Sequence, residues 1–235
     1  MALPKLNTPT YELEQPSTGE KIKYRPFLVK EQKVLMMAQE SGEDKQIKEA
    51  LANLVSGCTF GEVDPYKVPM FDVEYLFLRI RGKSVGEKIE LNVLCPDDNK
   101  TRVSKTVNLE DIGVNMKVGH TNEIELTKNI KMIMRYPTLN DMENLDADQL
   151  DPEDIFTMIK RCVQEITDGE TTHNRVDISE KELEEFIDGL TGEQFEGVVD
   201  FFNTMPKVQH SIEVVNPNTK KKGEVVIEGI ESFFE

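Results

Sequence analysis

The stretch Glu74-Tyr75-Leu76-Phe77-Leu78-Arg79-Ile80-Arg81-Gly82-Lys83-Ser84-Val85-Gly86-Glu87-Lys88-Ile89-Glu90-Leu91 decides how this chain is read. Its Gly82-Lys83-Ser84 matches the end of a phosphate-binding loop, which would make the protein a nucleotide hydrolase. Such a loop needs a further glycine five positions earlier, so that backbone amides can wrap the phosphates, and it follows a strand and precedes a helix. Phe77 stands at that position. Upstream, Val73, Leu76, Phe77 and Ile80 recur at helical spacing with Asp72 as a candidate cap, while Glu74 and Arg79 lie off that face. Tyr75 and Leu78 are apolar off the same face, so this helix is expected to be covered on more than one side. Gly82 is expected to stop it, and Gly86 to turn the chain into a strand in which Ile89, Leu91, Val93 and Cys95 alternate with Glu90, Asn92 and Leu94. Helix, loop, strand is the wrong order for a phosphate cradle, so the triplet reads as a connection.

Working outward, the pattern alternates between hairpins and helices. Thr10–Glu14 and Lys21–Tyr24 flank Pro16-Ser17-Thr18-Gly19, a first hairpin. After Pro26 a helix is expected from about Val29, with Val34, Met37 and Ala38 on one face. A second is expected from about Asp44, carried by Ile47, Leu51, Leu54, Val55 and Cys58. The strand after Gly86 returns through Pro96–Lys100 to Thr101–Leu109, a second hairpin, and Asn122–Tyr136 reads as strand. Thr138 with Asp141, Asp151 with Asp154 and Pro152 between them, Ser179 with Glu182, and Thr191 with Gln194 are four helix starts. Their apolar faces include Ile155, Met158, Ile159, Cys162, Val163 and Ile166 in the first long one. Ser211–Val215 and Glu224–Ile227 flank a third hairpin. The spacing of the hairpins is not that of a repeat protein.

The architecture expected is α+β: three β-hairpins with packed short helices, and a helical C-terminal third ending in a hairpin. The segments expected are 1–136, with the first two hairpins and three helices; 137–206, helical; and 207–235, a hairpin with a Phe-rich tail; or all three form one domain.

With 235 residues and 38% hydrophobic content the chain can fill a core without staples. Its 28 Lys and Arg against 44 Asp and Glu give a net charge of −16, which disfavours nucleic acid and anionic lipid. Cys58, Cys95 and Cys162 are odd in number and far apart, offering neither a disulfide framework nor a CxxC site, as expected of a reducing compartment. The N-terminus has no apolar leader, and the longest apolar run, Val34–Ala38, is too short for a bilayer. A soluble protein made in a cytoplasm is expected.

Candidate chemical groups read as structural. His120, His173 and His210 have no partner of the kind a nucleophile or metal needs. Asp146, Asp148, Asp151 and Asp154 suggest a calcium loop, but its sixth and twelfth places hold Asp151 and Thr157 in place of Gly and Glu, so helix capping is the better reading. Glu182, Glu184 and Glu185 read as the solvated side of a helix. Lys220-Lys221-Lys222 is the one basic run and reads as a hairpin tip able to touch an acidic partner. Near the end, Ile230, Phe233 and Phe234 are costly to expose: they fold back on their own core or dock into another protein. No catalytic, cofactor-binding or metal-binding residue is assigned. Ile230, Phe233, Phe234, Lys220, Lys221 and Lys222 are the candidate interface.

Taken together, four blocks resemble the baseplate hub proteins of T4-like contractile-tailed bacteriophages: Thr18-Gly19-Glu20 through Lys23-Tyr24-Arg25-Pro26-Phe27, Phe71 through Glu87, Phe201-Phe202-Asn203-Thr204-Met205-Pro206, and Gly229-Ile230-Glu231-Ser232-Phe233-Phe234. The resemblance implies a non-enzymatic structural protein of the virion tail, made in the host cytoplasm and partnered by other hub or tail proteins, without nucleic acid, membrane or small-molecule substrate. A transient chaperone of hub assembly is the alternative, and an enzyme using an ungrouped acidic site a remote one. Some relatives look as though they carry Cys pairs in the middle and C-terminal hairpins. Only Cys95 stands in the middle hairpin here, and Asn216-Pro217-Asn218 occupies the last, so no metal is expected.

Overall fold

A computed structural model describes residues 7–143, 145 and 151–229. The chain divides into two compact units, one from Met1–Asn115 with Lys207–Glu235 and the other from Met116–Pro206. Helices and antiparallel sheets are mixed in an α+β fold.

The first unit is built around a long helix buried on several sides. It opens with a hairpin of β1 (Tyr11–Glu14) and β2 (Lys21–Tyr24), followed by helices α1 (Val29–Ser41), α2 (Asp44–Cys58) and α3 (Met70–Val85). Phe71, Val73, Leu76, Phe77, Leu78 and Ile80 of α3 are all buried, so its core is covered on several sides as the sequence indicates. A second hairpin pairs β3 (Lys88–Leu94) with β4 (Arg102–Asn108), and β5 (Gly113–Asn115) is the edge of a three-stranded sheet completed from the end of the chain.

Three local readings of α3 are corrected by its surroundings. The helix runs through Gly82 and ends at Gly86, whose φ of 118° a side chain would strain. Asp72 is the third residue of the helix, inside its first turn, and does not cap it. Its buried carboxylate accepts the Ser17 N–H at 3.0 Å, the Ser17 hydroxyl, and the Gln15 amide at 2.6 Å, fastening the turn of the first hairpin to α3. Burial raises the Asp72 pKa, although those donors work against it. Glu74, expected off the apolar face, is buried as well.

The second unit contains a four-stranded sheet in the order β6-β7-β8-β9, from β6 (Glu123–Glu125), β7 (Lys131–Met134), β8 (Val163–Thr167) and β9 (Thr172–Asn174), with helices α4 (Pro152–Cys162), α5 (Glu180–Asp188) and α6 (Gly192–Thr204). The single strand expected over Asn122–Tyr136 is two strands, β6 and β7, joined by a turn. Val163 and Ile166, expected on a helix face, are instead buried in β8. Capping boxes open α4, α5 and α6 at Asp151, Ser179 and Thr191 as expected; Thr138 opens a turn. Returning to the first unit, β10 (Lys207–Val215) pairs with both β5 and β11 (Lys222–Glu228), forming the third hairpin.

One bonding pattern is made twice. In the first unit, Arg25 follows β2, donates its backbone N–H to the Cys58 carbonyl at 2.9 Å, and sends its guanidinium to Glu31 at 2.8 and 3.1 Å, to the Gly57 carbonyl at 3.1 Å and to the Pro26 carbonyl at 3.0 Å. In the second, Arg135 follows β7, donates its N–H to the Cys162 carbonyl at 2.8 Å, and sends its guanidinium to Asp141 at 2.6 and 2.7 Å, to the Arg161 carbonyl at 2.7 Å and to the Tyr136 carbonyl at 3.3 Å. Each arginine thus lies across a helix C-terminus, where the backbone dipole favours a cation. Each acid also accepts the N–H that opens the following turn, Leu28 at 2.6 Å and Thr138 at 2.8 Å. Burial opposes the charge of Glu31 and Asp141, but the arginine and backbone donors outweigh it and hold both carboxyls below their usual range.

Candidate interaction surfaces

Ionisable groups singled out by sequence are mostly tied into the fold. Lys83 ends α3 and pairs with Glu110 at 2.7 Å and Glu87 at 2.5 Å, which raise its pKa, while the Ser84 hydroxyl accepts the Phe27 N–H at 2.9 Å and donates to the Ile80 carbonyl. The phosphate-loop triplet is therefore helix end and hairpin anchor. Glu182 caps α5 through Ser179, Glu184 lies 3.5 Å from Lys160, and Glu185 lies 3.5 Å from Lys181. Asp151 and Asp154 cap α4; Asp146 and Asp148 lie outside the described residues.

The histidines do not converge. His173 is exposed on β9 and His210 is on β10 opposite Ile227. His120 is partly buried between the rings of Tyr136 and Phe201, with centroids at 5.7 and 5.4 Å. The Thr204 hydroxyl donates to the Asp200 carbonyl at 2.6 Å, so it accepts from His120 Nδ1–H at 2.9 Å, which leaves Nε2 to accept from the Tyr136 hydroxyl at 3.1 Å. That bonding suits a neutral ring, and burial lowers the His120 pKa.

The basic tip has a built foundation. Lys220, Lys221 and Lys222 are exposed at the turn of the third hairpin, Lys220 in the left-handed region at φ 62°. Beneath them the buried Asn216 donates its amide to both Asp97 and Asp98 of the second hairpin, each at 2.9 Å, and Thr219 donates to Asp97 at 2.5 Å. Hydrogen bonds from Thr219 and Asn216 hold Asp97 below the usual carboxylate range; the Thr101 hydroxyl and N–H, followed by the Lys100 N–H and Asn216, do so for Asp98. Closeness of the tips also requires Gly223: a Cβ there would fall 2.6 Å from Pro96 Cγ. Cys95 is buried below the turn, its thiol pushed up by burial. The turns of the second and third hairpins thus meet through an asparagine and two aspartates. Ile230, Phe233 and Phe234 lie outside the described residues.

Sequence reading missed one surface. Leu35 and Ala38 are the buried residues of α1, whereas Val29, Val34, Met36 and Met37 are 80%, 52%, 52% and 60% exposed. Val34 and Met37, expected inside with Ala38, face outward. This leaves exposed apolar side chains on α1 interleaved with Lys30, Lys33 and Glu40, and the signal for them was the run Val34-Leu35-Met36-Met37-Ala38, which is apolar on more sides than one packed helix face can absorb. Among the described residues no helix is long and apolar enough to cross a membrane.

Comparison with known proteins gives the surfaces their setting. No curated protein and no solved structure matches the chain. A family model described as T4 bacteriophage base plate protein matches residues 8–235, taking in residues of both units. That family implies a place in the phage tail and contacts with other tail proteins. The chain belongs to the T4 bacteriophage base plate protein family.

Proposed function

We propose that this chain is a structural component of the baseplate hub of a contractile tail, retained in the mature particle and acting through protein–protein contacts without catalysis. The observation that carries the reading is the match over 8–235: both units, and not an appended piece, take part in it. The hub assignment draws on the four resembling sequence blocks, Phe71–Glu87 most specifically. Support for binding over catalysis comes from the polar groups: the carboxylates and histidine that could have served chemistry cap helices, pair with cations or hold a ring in place. Exposed apolar side chains on α1 and a basic hairpin tip are surfaces suited to neighbours. The partners are other hub or tail proteins, met after synthesis in the host cytoplasm.

Quantitative mass spectrometry of purified particles tests retention. A fixed whole-number ratio to the other hub proteins is expected; absence, with the chain present in infected cells, would make it a chaperone of hub assembly. For the proposed terminal contact, Phe233→Ala with Phe234→Ala is expected to impair incorporation while the isolated chain still folds. Normal incorporation of that variant removes the tail from the interface.

A further inference from the structure

In the second unit, α4 and α5 leave between them a groove of about 330 Å³. Phe156 and Ile187 give it an apolar floor, and the Phe156 ring is held in place by stacking on Phe195 of α6 at 5.1 Å. Phe156 remains 38% exposed. Glu153, Glu184 and Asp188 line it together with one cation, Lys160, so its charged lining is net acidic. From these contacts we propose that the groove docks an amphipathic, lysine- or arginine-bearing segment of a neighbouring baseplate protein, an inference that rests on the chain acting through protein contacts.

Charge selects that occupant. Met116–Pro206 holds 8 Lys and Arg against 21 Asp and Glu, a net charge of −13, so this unit carries most of the −16 of the whole chain. At the groove, two features of α5 run against helix electrostatics. Asp188 sits at the end of α5, where the helix dipole is already negative and no basic residue lies in the last turn. Glu184 and Asp188 are one turn apart, a like-charge pair that weakens a helix. By contrast α4 ends on Lys160 and Arg161, matched to its dipole. Lys160 reaches Glu184 at 3.5 Å, but Glu153 and Asp188 make no ion pair among the described residues. The placement of Asp188 costs stability in the free chain and is relieved by a cation from outside, whereas Glu153 lies in the first turn of α4, where the dipole favours it. A Lys or Arg side chain fits both parts of the groove: its methylenes cover Phe156 and Ile187 while its charged end meets the carboxylates.

The test uses the full-length chain and two fluorescein-labelled peptides of equal length and charge, one of Leu-Lys-Lys-Leu blocks and one of Gly-Lys-Lys-Ser blocks, followed by anisotropy. The amphipathic peptide is expected to bind about tenfold more tightly than the polar one. Glu153→Gln/Glu184→Gln/Asp188→Asn is expected to weaken it about tenfold, and Glu193→Gln/Glu196→Gln/Asp200→Asn, which removes the same charge from α6, less than about threefold. Equal binding of the two peptides, or equal loss in the two variants, would mean diffuse attraction to an acidic unit and overturns the proposal, as does no binding by either peptide. Salt-reversible self-association abolished by Lys220→Ala/Lys221→Ala/Lys222→Ala would assign the groove to a second copy and overturns it too. Should no peptide bind while mass spectrometry finds the chain in purified particles, the groove fails and the hub reading stands.

Discussion

Arg25 and Arg135 each join three pieces of chain: a strand end, the acid of the next turn, and the last two carbonyls of a helix. Removing either guanidinium leaves a mostly buried carboxylate without its cation and one helix-end carbonyl, of Gly57 or Arg161, without that donor, while the backbone N–H still holds the other. Arg25→Ala and Arg135→Ala are each expected to lower stability by about 2 kcal/mol in urea unfolding, less for Arg135 because its side chain is more exposed. Lysine should restore only part of it, since it cannot span acid and carbonyl with a planar fork. Titration adds a second check. Glu31 and Asp141 have folded pKa values below their unfolded ones, so their contribution is full above the unfolded carboxylate pKa, about 4, and is lost as pH falls through the folded values. His120 is also lowered, so its contribution is full above about 6.5 and declines as pH drops below that. Melting temperature should therefore fall in two stages on acidification, and His120→Gln should remove the upper one; an unchanged upper stage would contradict the neutral, doubly bonded ring. None of this bonding was legible beforehand. The Thr138–Asp141 pairing alone was, because Thr-x-x-Asp is a local pattern, although it closes a turn where a helix start was expected; the far partners of Arg135 are backbone carbonyls and carry no residue-type signature.

At the scale of elements, the three hairpins, the first three helices and the capped starts of α4, α5 and α6 follow from patterns a few residues long. Failures occurred where distant contacts decide. Asp72 has the right chemistry for a cap, yet it stands three residues past the cap position, Pro69, and serves the Ser17 turn as an acceptor. At β8, Val163 and Ile166 continue the three-residue spacing of α4, and only their β-branched side chains hinted at a strand. Asp72→Ala should cost about 2–3 kcal/mol by stranding the Gln15 and Ser17 donors, read as a shift in urea midpoint. Gly223→Ala should cost about 1–3 kcal/mol by forcing the hairpin tips apart at Pro96. A wild-type midpoint for Gly223→Ala would show that the tips are not held together in solution.

For the molecule as a whole, the family was legible because its blocks are spread along the chain, while the surfaces were not. The sequence showed the −16 but not that most of it falls in Met116–Pro206, since that needs the units. It showed five consecutive apolar residues in α1 but not which of them would find a core. Met36→Lys with Met37→Lys, at side chains that are mostly exposed, should change stability by less than about 0.5 kcal/mol and lower incorporation into baseplates. A loss of stability instead would mean that these side chains are packed within the free chain. Cryo-electron microscopy of isolated baseplates bears most directly on the account: it predicts density for both units at the central hub, in contact with neighbouring proteins. Density confined to the periphery, or none anywhere in the mature baseplate, would contradict it.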